Sequence, residues 1–340
     1  MVVNLPVPKT RLAPSPTGAL HLGNARTFLI NWLLARKQGW HIVMRIEDLD
    51  GPRLKQGAAE QAIDDLQWLG LDWDEPSPPA TYTQRADLTP YLDALTHLQH
   101  LQLLYPCSCT RTQIENALSA PHADDHELRY PGTCRPENSP ALSDSIITMH
   151  HQSQAPCDLL TLGHDRPTAL RLIIPDEPIT FTDQIHGPIT CNVQQQVGDF
   201  VVLTKLGYPA YQLAVVVDDA RQGITHIVRG DDLLSSTARQ LLLYQFLHLS
   251  PAPHYWHLPL VLGHDGKRLA KRHGDSRLAH YRSLGVPPQK ILGLLACWTG
   301  LQSQPVPIDL PALLSIFDIC KLPRTPAIFT PEHHQWLITK

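Results

Sequence analysis

The amino-terminal third of the chain alternates strand-like and helix-like segments, and this rhythm restricts the fold more than any other feature. A short strand candidate at Thr10–Ala13 runs into the turn Pro14-Ser15-Pro16-Thr17-Gly18. From Asn24 to Lys37, Phe28, Leu29, Trp32, Leu33 and Ala35 recur near helical spacing, and Gly39 follows as a stop signal. His41–Ile46 reads as a buried strand that ends in the acidic turn Glu47-Asp48-Leu49-Asp50-Gly51, and a second helix covers Ala58–Leu69. Strand, helix, strand, helix is the pattern of an α/β protein with a parallel sheet, whose ligands gather at the carboxyl ends of the strands.

Residues 105–170 break the pattern. They hold Cys107, Cys109 and Cys134, followed by a polar stretch from Asn138 to Pro167, which reads as an inserted subdomain with a mobile loop. Strand-like runs resume at Leu170–Ile174, Phe200–Thr204, Leu213–Val217 and Ile224–Val228, followed by a helix at Leu233–Leu247. Beyond Lys271 the chain is expected to be mostly helical. A length of 340 residues implies two modules, or one large module with an insertion. The 28 basic and 32 acidic residues give a net charge of −4, so any contact with nucleic acid has to come from locally placed cations. No window is apolar enough for a membrane helix and the start lacks a basic leader, which favours the cytoplasm. Seven cysteines are an odd number for a disulfide framework, so metal binding or plain burial is the better expectation.

Two short elements could carry chemistry. His21-Leu22-Gly23-Asn24 stands where a turn feeds a helix, so backbone N–H groups and a His donor can meet an anion there; the plain alternative is a glycine turn with an incidental His. Arg268-Leu-Ala-Lys271-Arg272, preceded by Lys267, suits a polyphosphate, or else is a solvated basic loop. Together they resemble the two signature motifs of class I aminoacyl-tRNA synthetases. Arg11-Leu-Ala-Pro-Ser-Pro-Thr-Gly-Ala-Leu-His-Leu-Gly-Asn-Ala-Arg26 is similar to the opening of glutamyl-tRNA synthetases. Arg45-Ile-Glu-Asp-Leu-Asp50, Tyr208–Asp219 and Val228-Arg-Gly-Asp-Asp-Leu233 resemble their later blocks. The resemblance covers most of residues 9–280.

Three details resemble the truncated branch, the glutamyl-Q tRNA(Asp) synthetases. Only 68 residues follow Arg272, too few for a helical anticodon-reading cage, so no anticodon-binding domain is expected. Val215 stands where glutamyl-tRNA synthetases usually carry Asn. Cys107-Ser-Cys109 and Tyr130-Pro-Gly-Thr-Cys134 are similar to the branch's cysteine pattern. The resemblance implies a Rossmann-type catalytic domain in two halves, 9–104 and 171–250. Between them lies a zinc-binding, acceptor-like insertion at 105–170, and after them the basic loop and a short helical region at 251–340.

The resemblance also implies the chemistry. Glutamate would be activated with ATP, accompanied by Mg²⁺, and passed to the queuosine base in the anticodon stem-loop of tRNA(Asp). His21, Gly23, Asn24, Arg268 and Lys271 would address ATP, with His21 and Lys271 as the catalytic pair. Arg11, Leu12, Ala13, Pro14, Ser15, Glu47, Tyr211 and Arg229 would hold glutamate, Glu47 facing its ammonium and the arginines its carboxylates. Cys107, Cys109 and Cys134 would bind one structural zinc; the resemblance nominates Tyr130 as fourth ligand, whereas chemistry alone nominates His122 or His126. Cys157, Cys191, Cys297 and Cys320 are expected to be core or loop thiols. Ala270 and Arg268 depart from the usual Ser and first Lys of the basic motif but leave Lys271 in place. The competing readings are a glutamyl-tRNA synthetase lacking its cage and a catalytically retired, zinc-containing tRNA-binding paralogue.

Overall fold

The computed structural model describes residues 7–77, 80–117, 128–138, 167–267, 269 and 275–339. Strand β1 (Lys9–Leu12) pairs in parallel with β2 (His41–Ile46), which pairs in parallel with β3 (Tyr82–Thr83). Helices α1 (Leu22–Gln38), α2 (Ala58–Trp68) and α3 (Thr89–His100) fill the connections. Strands β4 (Leu104–Cys107), β5 (Ala169–Leu172) and β8 (Val201–Leu203) form an antiparallel sheet. Strands β6 (Pro178–Asp183) and β7 (Gly187–Asn192) make an antiparallel hairpin. Strand β9 (His226–Gly230) and β6 both pair in parallel with β10 (His254–Leu258), giving the order β7-β6-β10-β9.

The two parallel sheets meet between β1 and β9. The Lys9 N–H donates to Thr225 Oγ1 at 2.8 Å, and the Thr225 N–H donates to the Lys9 carbonyl at 2.9 Å. Strand order therefore reverses at β1, which has β2 on one side and β9 on the other. Such a switch point opens a crevice at the strand carboxyl ends.

The pleat sorts the core to two faces. Ile42 and Met44 join the cluster built around α1, whereas Val43 between them packs with Ile227 and Tyr255. Asn31, buried on α1, ties the helix to β1: its amide donates to the Arg11 carbonyl at 2.9 Å and accepts from Thr10 Oγ1 at 2.9 Å. The tail packs onto the α1 face through helices Pro288–Trp298 and Leu310–Ile316. It is not wholly helical: β12 (Ala327–Phe329) pairs in parallel with β11 (Val261–Gly263). Strand β10, too, lies past position 250 yet sits inside the sheet.

One expected strand is a helix. Leu213–Val217 lies within the helix Tyr211–Arg221, whose residues 213 to 219 are all buried. With no solvent-facing side there is no polar face to impose a 3.6-residue period, so an apolar, β-branched run looks like a buried strand. Among the described residues no helix is long and apolar enough to cross a membrane.

Candidate active site

A cleft of about 650 Å³ opens at the carboxyl ends of the parallel strands. The end of β1 and its turn supply Arg11, Ala13, Pro14, Ser15 and Thr17; the start of α1 supplies His21, Gly23 and Asn24. Glu47 follows β2, Arg229 and Gly230 end β9, Leu260 and Val261 follow β10, and Tyr211 opens its helix. The structure thus brings ten of the residues expected at the ATP and glutamate sites to one cavity. Leu12 is not among them. It is fully buried in the α1 core, because strand alternation turns it away from the face that Arg11 presents. Arg268, Ala270 and Lys271 lie outside the described residues, as do His122, His126 and Cys157.

The floor of the cleft is a buried lattice of charges. Arg45 Nη2 lies 2.8 Å from Asp219 Oδ1 and donates to Glu47 Oε1 at 3.0 Å, and Arg11 Nε donates to the same Asp219 oxygen at 3.2 Å. Asp218 accepts from the Tyr91 hydroxyl at 2.9 Å, from Gln84 Nε2 at 2.7 Å and from Arg221 Nε at 2.8 Å. Burial opposes the charge on Arg45, but Asp219, Glu47 and Asp218 together hold its basicity above the ordinary guanidinium range. Burial pushes the Glu47 carboxyl above the usual carboxylate range, against the pull of Arg45 and Arg11. Arg11 keeps its terminal nitrogens unbonded among the described residues, a fork suited to a carboxylate from the cleft.

Arg229 is held from behind by neutral acceptors. Its Nε donates to His257 Nε2 at 2.9 Å, Nη1 to Gln240 Oε1 at 2.9 Å, and Nη2 to Thr237 Oγ1 at 2.9 Å and the Leu233 carbonyl at 3.3 Å. None is a carboxylate, so the plain expectation of a surface ion pair with Asp231 or Asp232 does not describe it. His257 Nδ1 lies 2.7 Å from Asp183 Oδ2, which fixes the ring with the proton on Nδ1 and the lone pair on Nε2. Burial drives the His257 imidazole down to about 4, keeping it an acceptor at neutral pH.

His21 differs from its expected role as a free donor at an open helix start. It is the N-cap of α1, and its Nδ1 accepts from the amides of Gly23 at 3.0 Å and Asn24 at 3.3 Å. Two of the helix-start donors are therefore already taken, and Nε2 carries the ring proton. Gly23 is needed for this cap, since a Cβ there would stand 2.9 Å from the His21 ring.

Both ends of the basic loop reach this place. Val261 lines the cleft and opens β11, while on the return Ser276 accepts from the Leu22 N–H at 2.9 Å and the Leu278 N–H donates to the Leu20 carbonyl at 2.9 Å.

The cysteine cluster lies apart. Among the described residues, the thiols of Cys107, Cys109 and Cys134 all fall within 4.8 Å of one another. The Tyr130 hydroxyl is 3.4 Å from Cys107 Sγ and 4.0 Å from Cys109 Sγ, and it accepts the Cys134 N–H at 2.8 Å. A hydrogen bond from Cys134 pulls the Cys107 thiol down to about 4 and correspondingly pushes Cys134 up. Three sulfurs and one phenol oxygen around a point match the tetrahedral donor set of a structural zinc site. Cys191, Cys297 and Cys320 are free and stand apart from this cluster.

Sequence reasoning missed Asp183, His257 and Gln240 as supports of Arg229. One His among 19 carries no local signal. Arg45 was legible in principle, as the single charged residue inside an apolar strand.

The arrangement has known relatives. The catalytic-domain model of class I tRNA synthetases (E and Q) matches residues 8–304. A glutamyl-Q tRNA(Asp) synthetase of Symbiobacterium thermophilum is 47% identical, covering 95% of this chain and 96% of that one. Its counterpart in Rhodopirellula baltica is 46% identical over 86% of this chain and 84% of its own. The crystal structure of a glutamate tRNA ligase from Elizabethkingia meningosepticum, in complex with its amino acid, superposes with a TM-score of 0.76 at 28% identity, covering 97% of this chain and 68% of that one. The chain therefore belongs to the class I tRNA synthetases (E and Q) and, within them, to the glutamyl-Q tRNA(Asp) synthetase family.

Proposed function

We propose that this enzyme activates L-glutamate with ATP and transfers it to the queuosine base in the anticodon stem-loop of tRNA(Asp). The observation that carries the reading is the convergence of Arg11, Glu47, Tyr211 and Arg229 on one cavity with the His21-capped helix start. Glutamate offers one ammonium and two carboxylates; Glu47 faces the first, and Arg11, Arg229 and the Tyr211 hydroxyl face the others. The α-carboxylate attacks the α-phosphorus of ATP, giving glutamyl-adenylate and pyrophosphate. Positioning and charge stabilisation suffice for this step, without a protein nucleophile. His21 Nε2–H is a donor for phosphate oxygens, and Lys271, with Arg268 beside it, neutralises the departing pyrophosphate. Mg²⁺ accompanies ATP as its counter-ion. In the second step a hydroxyl of the queuosine cyclopentenediol bonds to the glutamyl carbonyl carbon. The bond from that carbon to the phosphate oxygen breaks, AMP leaves with the electron pair, and the hydroxyl proton passes to the departing phosphate.

Cys107, Cys109, Cys134 and Tyr130 hold one zinc in this reading, as a structural centre that supplies no chemistry to the cleft. The proposed zinc-bearing segment, 105–170, sits between two halves of the catalytic domain, and the site of action is the cytoplasm.

The test is transfer of labelled glutamate to tRNA(Asp) bearing or lacking queuosine. Label that survives 3′-end removal and depends on queuosine is the expected result. Label on the 3′ end of tRNA(Glu) makes the enzyme an ordinary glutamate–tRNA ligase, and no adenylate at all makes it a retired paralogue. Lys271→Ala is expected to slow activation about 100-fold or more, on the scale of losing one preorganised donor.

A further inference from the structure

A second concavity, of about 490 Å³, adjoins the first. Cys109 and Tyr130 of the cysteine cluster form part of its wall, and Ala210 to Gln212 form another. Tyr211, 39% exposed, lines both cavities and marks where they meet. The second cleft is basic: Arg111 stands exposed at it, and Arg171 and Arg239 line it while only 8% and 4% exposed. Its one acidic lining residue, Asp199, already accepts from the Tyr105 hydroxyl at 2.7 Å, the Ile174 N–H at 2.9 Å and Arg135 at 3.3 Å. On a chain of net charge −4, a concave wall with three arginines concentrates positive potential locally.

Two further observations point to a ligand here. Arg171 gives Nη1 to the Asp199 carbonyl at 2.6 Å and lays its guanidinium 3.6 Å from the centre of the Tyr130 ring, yet its buried Nε has no partner. A buried donor without a partner calls for a group that supplies one. Moreover, a hydrogen-bonded chain runs between the clefts. Arg229 Nη1 donates to Gln240 Oε1 at 2.9 Å, Gln240 Nε2 to Gln212 Oε1 at 3.0 Å, and Gln212 Nε2 to Ser236 Oγ at 3.0 Å; Arg239 Nη2 donates to that same hydroxyl at 3.1 Å.

We propose that the second cleft seats the RNA nucleotide that accepts glutamate, with Arg171, Arg239 and Arg111 against its phosphates and its hydroxylated base directed past Tyr211 towards the activated amino acid. This rests on the RNA-glutamylating reading above. The transfer step needs a hydroxyl at the glutamyl carbonyl, and an opening that joins the first cavity at a glutamate-facing residue supplies the approach.

The test measures filter binding of a queuosine-bearing anticodon stem-loop RNA to the full-length protein and to Arg239→Gln and Arg111→Glu. Both variants are expected to bind about tenfold or more weakly, with the plot of log affinity against log salt flattened by about one. Arg111 is exposed and pairs only with Glu115, so its reversal leaves the fold intact and carries the test should Arg239→Gln melt early. Unchanged affinity and salt slope in Arg111→Glu and in folded Arg239→Gln overturn the cleft assignment alone, when the wild type still transfers glutamate. A wild-type protein that binds the RNA through this cleft but never glutamylates it overturns both the acceptor role and the catalytic reading.

Discussion

His257 illustrates how much of this cleft is decided by side chains that never face it. Its Nε2 is the only ring nitrogen among Arg229's acceptors, and Asp183 holds the tautomer that makes it one. In His257→Ala the Arg229 fork loses a fixed edge, so the KM for glutamate is expected to rise about tenfold with the KM for ATP little changed, measured by pyrophosphate exchange. The same residue sets a pH dependence. Its folded value of about 4 lies below the ordinary 6.5, so the stability it contributes is complete above about 6.5 and is lost as pH falls towards 4. The slope for one such group is about 1.4 kcal/mol per pH unit. Thermal midpoints recorded across that window should fall less steeply in His257→Gln than in the wild type. Little of this could be seen in advance. Arg11, Glu47 and Arg229 announce themselves as charges placed at turns after strands, whereas Asp183 and His257 are ordinary residues until the sheet puts β6 beside β10.

At the scale of elements, close approaches decide what a segment tolerates. Gly198 has φ +74°, and a Cβ there would stand 2.3 Å from the Tyr130 carbonyl, while the Tyr130 N–H donates to the neighbouring Val197 carbonyl at 2.8 Å. Gly198→Ala therefore displaces the strand of chain that carries Tyr130, and purified protein is expected to hold less than half the wild-type zinc by metal analysis, even with all three cysteines intact. The βαβ opening was legible because α1 and β2 each keep one polar boundary: His41 is exposed and Gly39 closes the helix in a left-handed turn. The helix Tyr211–Arg221 was not, because burial on every side erased its period. Hairpin β6–β7 alternates exposed and half-buried residues, but Pro178 and Pro188 argue locally against strands.

At the scale of the whole molecule, the cysteine cluster is a small core of its own, with Tyr105, Cys107, Tyr130 and Cys134 buried together away from the two large clusters. A centre of that kind replaces apolar mass with metal bonds. Chelation is expected to lower the thermal midpoint by about 5 °C or more while a glutamate-dependent exchange rate, assayed below that midpoint, survives. Retention of the midpoint after complete metal loss would show the cluster to be held by packing alone. The sequence made the parallel sheet and the crevice legible because each strand end is marked by a turn. It did not reveal how the tail is used, because Ala327–Phe329 is three residues long and finds its partner more than sixty positions away.

The pairing of β12 with β11 has a consequence for inheritance of activity by shorter chains. Strand β11 is the outgoing stalk of the basic loop, and its neighbour in the sheet is the late segment Ala327–Phe329. A chain cut just before Ala327 keeps every residue that lines the cleft, yet its loop springs from an unzipped edge. Such a chain should still bind glutamate, while its glutamate-dependent pyrophosphate exchange fails. The last strand works as a hinge pin: remote from the chemistry, it keeps the loop's stalk seated against the sheet.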